Sequence, residues 1–473
     1  MSICAQHKST YMYCLCFCDM IGMVRNFCNE GSMKKKKLFV PVAAFCAVFI
    51  CSCATMTDYD YTDINIGIRN GDYNYVYNDL QRNEKKLYTS RDEVLKLLDE
   101  GVLSHFAGDF DRSNKELSEA EKKIAEFYAK SVSQTVTSFL ANDTVMDYSG
   151  DTYENIYTNV FMALNYLDKN DSEDAFVEIR RFDNKLKEIT QKYQVLLAEE
   201  KRQMENGSET VPEAHIEFHN SALARYLSMI MYRSSGADDS AEVDRKKIKS
   251  AFELQPNLYG FPEPASIQQE IEIPKGMARL NIISFTGRAP IKVENVLRVN
   301  LSETYYKLAL PEMKKQPTRI ASAIVTAVSR TDGSQSTADI DKLESIENIA
   351  IDTFQQSYSL IFAKTLVRSL SKSAATLTFD RLSRDKDNDN QSLFRLLKVA
   401  SEITTEATER ADVRTSRFFP ATASVAGLTL IPGVYDIRVT YYDPAHSVVA
   451  VKNFPGKDIR SGELNLLESV CQQ

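Results

Sequence analysis

Three groups of side chains in this 473-residue chain have a type and spacing that could do chemistry. The first is Cys53, a thiol at the end of Cys51-Ser52-Cys53, preceded by Lys34-Lys35-Lys36-Lys37 and the apolar run 38–50. Lysines, a short apolar stretch and a small-residue cleavage site form a secretory signal. A cysteine as the first residue after the cut is an acceptor for fatty acid. The second group is His215, Glu217 and His219. Two imidazoles four residues apart share one face if the segment is helical, which is how paired His ligands hold zinc. Glu217 stands at the wrong offset for a zincin base, and an ordinary helix face is the competing reading. The third group is Lys364, Arg368 and Lys372, a basic line at i, i+4, i+8 that could meet an acidic protein surface or a phosphate. Its alternatives are a solvated face or pairing with Asp352 and neighbouring acids.

The chain contains no phosphate-cradling GxxxxGK, no GxSxG elbow and no HExxH. Residues 53–473 hold four histidines, His105, His215, His219 and His446. The expected cofactor set is therefore empty, apart from lipid bound covalently to Cys53, and the chain reads as a non-enzyme.

The apolar run is too short to span a bilayer as a helix. With Ile50, Cys51 and Ser52 ahead of Cys53, it resembles the lipobox of bacterial lipoproteins. On that reading residues 33–52 are the signal peptide. Met33 directly precedes the lysines, and Glu30-Gly31 implies a purine-rich codon stretch upstream of it, like a ribosome-binding site. Residues 1–32 are accordingly expected to be an untranslated extension. Eight of the nine cysteines fall in the first 53 residues, which leaves Cys471 alone in the body. The body must then fold without an intrachain disulfide. Removing residues 1–52, with six Lys/Arg and two Asp/Glu, takes the net charge from −8 to −12. Such a field excludes nucleic-acid binding through overall charge. It also repels anionic lipid, so acyl chains must supply the anchorage. Residues 53–74 read as anchor and tether.

Two halves follow. Over residues 75–259 the apolar residues keep a helical period, as in Val94, Leu98, Val102 and Phe106. Gly101, Gly108-Asp109-Phe110, Leu117 and Ala120 occupy the small, turn and packing positions of a tetratricopeptide repeat, with Ser113 in place of the usual Ala. Ala163, Tyr166, Asn170-Asp171-Ser172, Ala175 and Ile179 repeat the pattern. Tyr226, Leu227, Ile230, Ile248, Ala251, Leu254 and Pro256 repeat it again around an enlarged loop at 234–240. The alternative is an irregular bundle. Repeats imply a concave surface that holds a protein.

Over residues 260–473 the period becomes two. Strands are expected at 278–285, 296–301, 305–310, 320–328, 434–439, 448–452 and 464–467, with one long helix at 340–382. The expected fold class is thus α+β: a TPR-like helical half, then a β-sandwich-like half with one inserted helix. Leu430-Ile431-Pro432-Gly433-Val434-Tyr435 and Ser461-Gly462-Glu463-Leu464 resemble the small β-sandwich modules of the PEGA and related envelope families. Together with the lipobox, the helical repeats and Thr286-Gly287-Arg288-Ala289-Pro290, they make the chain resemble a family of bacterial tetratricopeptide-repeat-containing lipoproteins. No catalytic residues carry over from that family, and its N-G-x-A-P turn differs here at Thr286. The resemblance implies an envelope address, and Ala54 after the acceptor Cys53 looks like the pattern for outer-membrane delivery, with the body facing the periplasm. Function stays open on the resemblance; the repeats point to a protein partner and the β modules to a cell-wall or protein contact, with regulating peptidoglycan synthesis or assembling an export machine as roles by analogy. A metal-dependent periplasmic hydrolase using His215, Glu217 and His219, and an outward-facing adhesin, are the competing functions.

Overall fold

The computed structural model describes residues 60–133, 146–204, 217–301, 304–355 with 358, 361 and 365, and 410–473. Residues 60–473 form one compact unit. The class is α+β, with helices first and sheets after. The helices are α1 (Thr62–Asn70), α2 (Tyr73–Leu87), α3 (Glu93–Phe106), α4 (Phe110–Ser133), α5 (Thr152–Asp168), α6 (Ser172–Met204), α7 (Ala222–Ser234) and α8 (Asp238–Leu254).

The pairs α3/α4, α5/α6 and α7/α8 are antiparallel hairpins built on one turn used three times. Each turn has three residues and a positive φ at its centre: Gly108 at 79°, Asn170 at 60° and Gly236 at 74°. In each, the central N–H donates to the carbonyl three residues back, and the next N–H to the carbonyl five back. Gly108 and Asp109 bond His105 and Ser104, both at 2.9 Å. Asn170 and Asp171 bond Leu167 and Tyr166, and Gly236 and Ala237 bond Arg233 and Tyr232. Left-handed residues close helices in this way, satisfying the orphan carbonyls. The expected enlarged loop at 234–240 is therefore replaced by the same short turn, because Gly236 takes the left-handed conformation. Between α3 and α4 the approach is close. A Cβ at Gly101 would overlap the Leu117 side chain, and Ser113 Oγ donates to the Gly101 carbonyl at 2.8 Å.

The β half has two four-stranded sheets and a hairpin. Sheet order is β10-β1-β7-β6 in the first and β5-β4-β8-β9 in the second. The strands of the first are β1 (Ala278–Thr286), β6 (Asp341–Ser345), β7 (Thr422–Leu430) and β10 (Asn465–Cys471). Those of the second are β4 (Ser322–Ser329), β5 (Gln335–Asp339), β8 (Gly433–Tyr442) and β9 (Val448–Ile459). β2 (Ile291–Leu301) and β3 (Thr304–Lys314) form the hairpin. Only β1 and β10 run parallel within the first sheet.

β1 is buried on both faces, as a strand between two layers must be. Leu280 and Ile282 pack with Val325, Ile437 and Val439 of the second sheet. Asn281 and Phe285 point the other way, into the helices, where Phe285 meets Phe106 and Phe161 with ring centroids 6.2 and 5.5 Å apart. The first sheet thus lies between the helical hairpins and the second sheet.

The expected helix at 340–382 begins later. Residues 341–345 pair with β7 as β6, and helix α9 starts at 346, where Ser345 Oγ accepts from the Asn348 N–H. β5, β6 and β7 were not expected as strands. β7 is rich in small residues, and its burial comes from neighbours far along the chain.

Candidate functional site

Of the residues singled out by type and spacing, Cys53, His215, Lys364, Arg368 and Lys372 lie outside the described residues. Glu217 and His219 are described, and they sit on a non-helical segment: α7 begins only at Ala222, with Ser221 as its cap. Glu217 accepts from Asn257 N and Nδ2 at 3.0 and 2.6 Å. His219 Nδ1 bonds the Glu217 carbonyl at 2.7 Å. The helical face that would align His219 with His215 is therefore absent at residues 217–221. Among the described residues no cluster of three or more His, Cys, Asp or Glu is arranged to hold a metal.

The first helix of each hairpin turns its polar residues toward the protein's own β half, and those residues form buried networks. Glu344 on β6 accepts from Tyr157 Oη at 2.5 Å, Tyr259 Oη at 2.7 Å, Ser221 Oγ at 2.8 Å and Leu223 N at 3.1 Å. Burial pushes its carboxyl up, and these donors oppose that. Glu270, fully buried, takes Arg233, Arg279 at 2.8 Å and Asn281 at 2.7 Å. Two guanidinium groups so neutralise one carboxylate between α7 and β1.

His105 on α3 is 2% exposed. Its Nδ1 lies 2.6 Å from Asn165 Oδ1, and its Nε2 lies 3.0 Å from Glu468. Asn165 Nδ2 already donates to Ser113 and Asn114, so its oxygen faces the ring. Both ring nitrogens therefore face acceptors, which fits imidazolium. Burial pushes the ring toward neutrality, and Glu468's charge and hydrogen bonds more than offset it, so the pKa is raised. Rings of Phe106 and Phe161 enclose it, with centroids 5.1 and 4.9 Å away. It acts as a buried pin between α3 and β10.

A groove of about 360 Å³ stays open between α6, α7 and α8. Its floor is polar and paired. Arg225 donates to Asp183 at 2.7 Å, and Asp244 accepts from Ser228 and lies 3.5 Å from Lys247. One wall is aromatic, with the Phe176 and Tyr232 rings tilted against each other, centroids 4.7 Å apart. The rim carries Arg180, Asp239 and Val243, all exposed, with Val243 at 50%. Among the described residues neither Arg180 nor Asp239 has an ion-pair partner within 4.0 Å. Ser228 and Asp244 are both buried at this floor, with the hydroxyl donating to the carboxylate. The groove offers opposite charges, an apolar edge and hydrogen-bond acceptors, which together suit a segment of polypeptide. No sequence signal marked it, since its charges sit on helix faces that read as solvated.

No family model, curated protein or solved structure matches this chain.

Proposed function

We propose that this protein is a lipid-anchored, non-enzymatic envelope protein that holds another protein through its helical hairpins. The anchor would be fatty acid on Cys53, with the body on the periplasmic side of the outer membrane. Restriction to the membrane plane raises its effective concentration near other envelope proteins. The observation that carries the reading is the groove between α6, α7 and α8. The first-helix side of the array is filled by the protein's own sheet, so a partner is left the outer groove, where Arg180, Asp239 and Val243 remain uncommitted. The occupant is a protein segment bearing both charges beside an apolar residue.

Two measurements test it. Labelled palmitate should enter the full chain and fail to enter Cys53→Ser. A photo-crosslinker at Val243 should give a discrete adduct in cells that Arg180→Glu abolishes, while one at Val434 on β8 gives none. Equal adducts at the two positions, or an adduct indifferent to Arg180→Glu, would overturn the groove as the partner site.

A further inference from the structure

The body beyond the anchor is acidic, yet three guanidinium groups meet on its first helix. Arg288, in the turn after β1, donates from Nη1 to Asn65 Oδ1 at 2.6 Å. Arg69 donates from Nε to the Asn65 carbonyl at 3.2 Å. The Arg417 guanidinium lies 4.0 Å from the ring centroid of Tyr61. Their side-chain partners are thus an amide, a carbonyl and a ring. Among the described residues no carboxylate stands within 4.0 Å of any of the three guanidinium groups. Burial and then the charges of Arg417 and Arg69 weaken Arg288's hold on its proton.

One acid, Asp99, accepts from the Arg417 backbone N–H at 3.3 Å. Asp99 sits behind Arg417, buried, and accepts from Ser416 Oγ at 2.6 Å and Tyr88 Oη at 2.8 Å. Asp60 is held by Thr62, and Asp63 lies in the first turn of α1. Arg69 is exposed and Arg288 and Arg417 are half-buried; Arg319 adds a further exposed cation beside Gln473, whose amide bonds the Arg69 carbonyl at 3.0 Å. Ile66, 44% exposed, lies one turn before Arg69 on the outward stripe of α1.

Covalent geometry then limits where this patch can be. Seven residue spacings separate Cys53 from Asp60, at most about 25 Å when fully extended. An acylated Cys53 therefore keeps α1 close to the bilayer. Guanidinium forks bind phosphate oxygens two at a time and lose less hydration than ammonium.

We propose that Arg69, Arg288 and Arg417, with Ile66 beside them, form a seat for the phosphate headgroups of anionic lipids in the membrane that holds the anchor. The seat fixes which side of the body lies on the bilayer. It rests on the reading of Cys53 as the anchor.

The test uses the full lipidated protein, labelled with an environment-sensitive fluorophore at Asn70→Cys, because the only other body thiol, Cys471, is buried. It is reconstituted in vesicles of phosphatidylcholine alone, or of phosphatidylcholine with a quarter phosphatidylglycerol, each doped with brominated lipid. Quenching should be several-fold stronger in the anionic vesicles, and 0.5 M salt should remove the excess. Arg69→Glu should lower the docked population about fivefold or more, and the Arg69→Gln/Arg288→Gln/Arg417→Gln triple variant should bring it to the neutral-vesicle level. Lys246→Gln/Lys249→Gln on α8 should leave it unchanged. Equal quenching in both vesicles, or indifference to Arg69→Glu in a protein with unaltered circular dichroism, overturns the seat. So does an arginine-dependent probe response to free glycerol phosphate without vesicles, which would make it a soluble-phosphate site. If palmitate never enters Cys53, the anchor reading fails separately. Full-length protein added from solution then still reports whether the arginines bind anionic vesicles.

Discussion

Replacing Glu344 by alanine removes the acceptor on which the two halves of the protein converge. Four donors lose their partner at once: Tyr157 Oη, Tyr259 Oη, Ser221 Oγ and Leu223 N. All belong to the helical half or the segment just after it, whereas Glu344 belongs to β6. A buried donor left unsatisfied costs about 1–3 kcal/mol. Tyr259 Oη retains Asn220's carbonyl as an alternative, and Ser221 Oγ can rotate. Removing a carboxylate that burial disfavours returns part of the loss. The net expectation is about 4 kcal/mol of destabilisation. Unfolding entropy near 2.1 cal/mol/K per residue, over roughly 400 residues, gives about 0.85 kcal/mol per degree, so Tm should fall by about 5 °C. Circular dichroism melts of the full chain measure this, with the exposed Glu312→Ala on β3 as a control. A Tyr157→Phe change should cost about 1–2 kcal/mol in the native background and almost nothing on top of Glu344→Ala. If Glu344→Ala melts within a degree of the native protein, or the two changes simply add, Glu344 is not the shared acceptor between the halves.

The remaining predictions concern charge and fit. Burial, then the charges of Glu116 and Glu84 acting against Lys96, pushes Glu100 up to about 7. An acid raised by folding contributes stability that is present below its unfolded pKa and is lost as pH rises through the folded one. Glu100→Gln should therefore raise stability by about 1–3 kcal/mol at pH 8 and change it little at pH 4.5, read from urea midpoints; no difference between the two pH values refutes the assignment. Gly427 on β7 packs against the Arg279–Glu270 ion pair, and an added Cβ would overlap both partners. Gly427→Ala should cost about 3 kcal/mol or more in a thermal melt, and a neutral result would mean that the pair is not held there. Arg225→Ala should weaken the partner adduct at Val243 and also lower stability, because it leaves Asp183 unpaired and removes one of Asp244's two cations, whereas Arg180→Glu should affect the adduct alone.

The hairpin turns were legible from the chain. Gly108 and Asn170 are residue types that tolerate a left-handed φ, and such preferences act over a few residues. Pro432-Gly433 and Ser461-Gly462 likewise mark the entries to β8 and β10. Glu344, Glu270 and His105 were not legible as network centres. Each lies in a polar or mixed run that reads as surface, and the partners that satisfy it come from distant segments. His105 meets Glu468 across 363 residues, and Glu344 meets Tyr157 across 187. The helical spacing on which the paired-imidazole reading relied is absent over 217–221, because Ser221 caps α7 downstream of His219.

What the sequence determined by itself is local: helices before strands, hairpins closed at Gly108 and Asn170, and a β1 segment apolar enough to be interior. Those features follow from backbone preference and periodicity, which need no knowledge of the rest of the chain. The tertiary structure alone decided which face of the helical array is covered. Burying the charges of Glu270, Arg279 and Glu344 is favourable only when counter-charges and donors arrive together, and those arrive through long-range packing. The same packing left Arg180 and Asp239 at the rim of the α6–α8 groove, and the arginines beside α1, without ion-pair partners among the described residues.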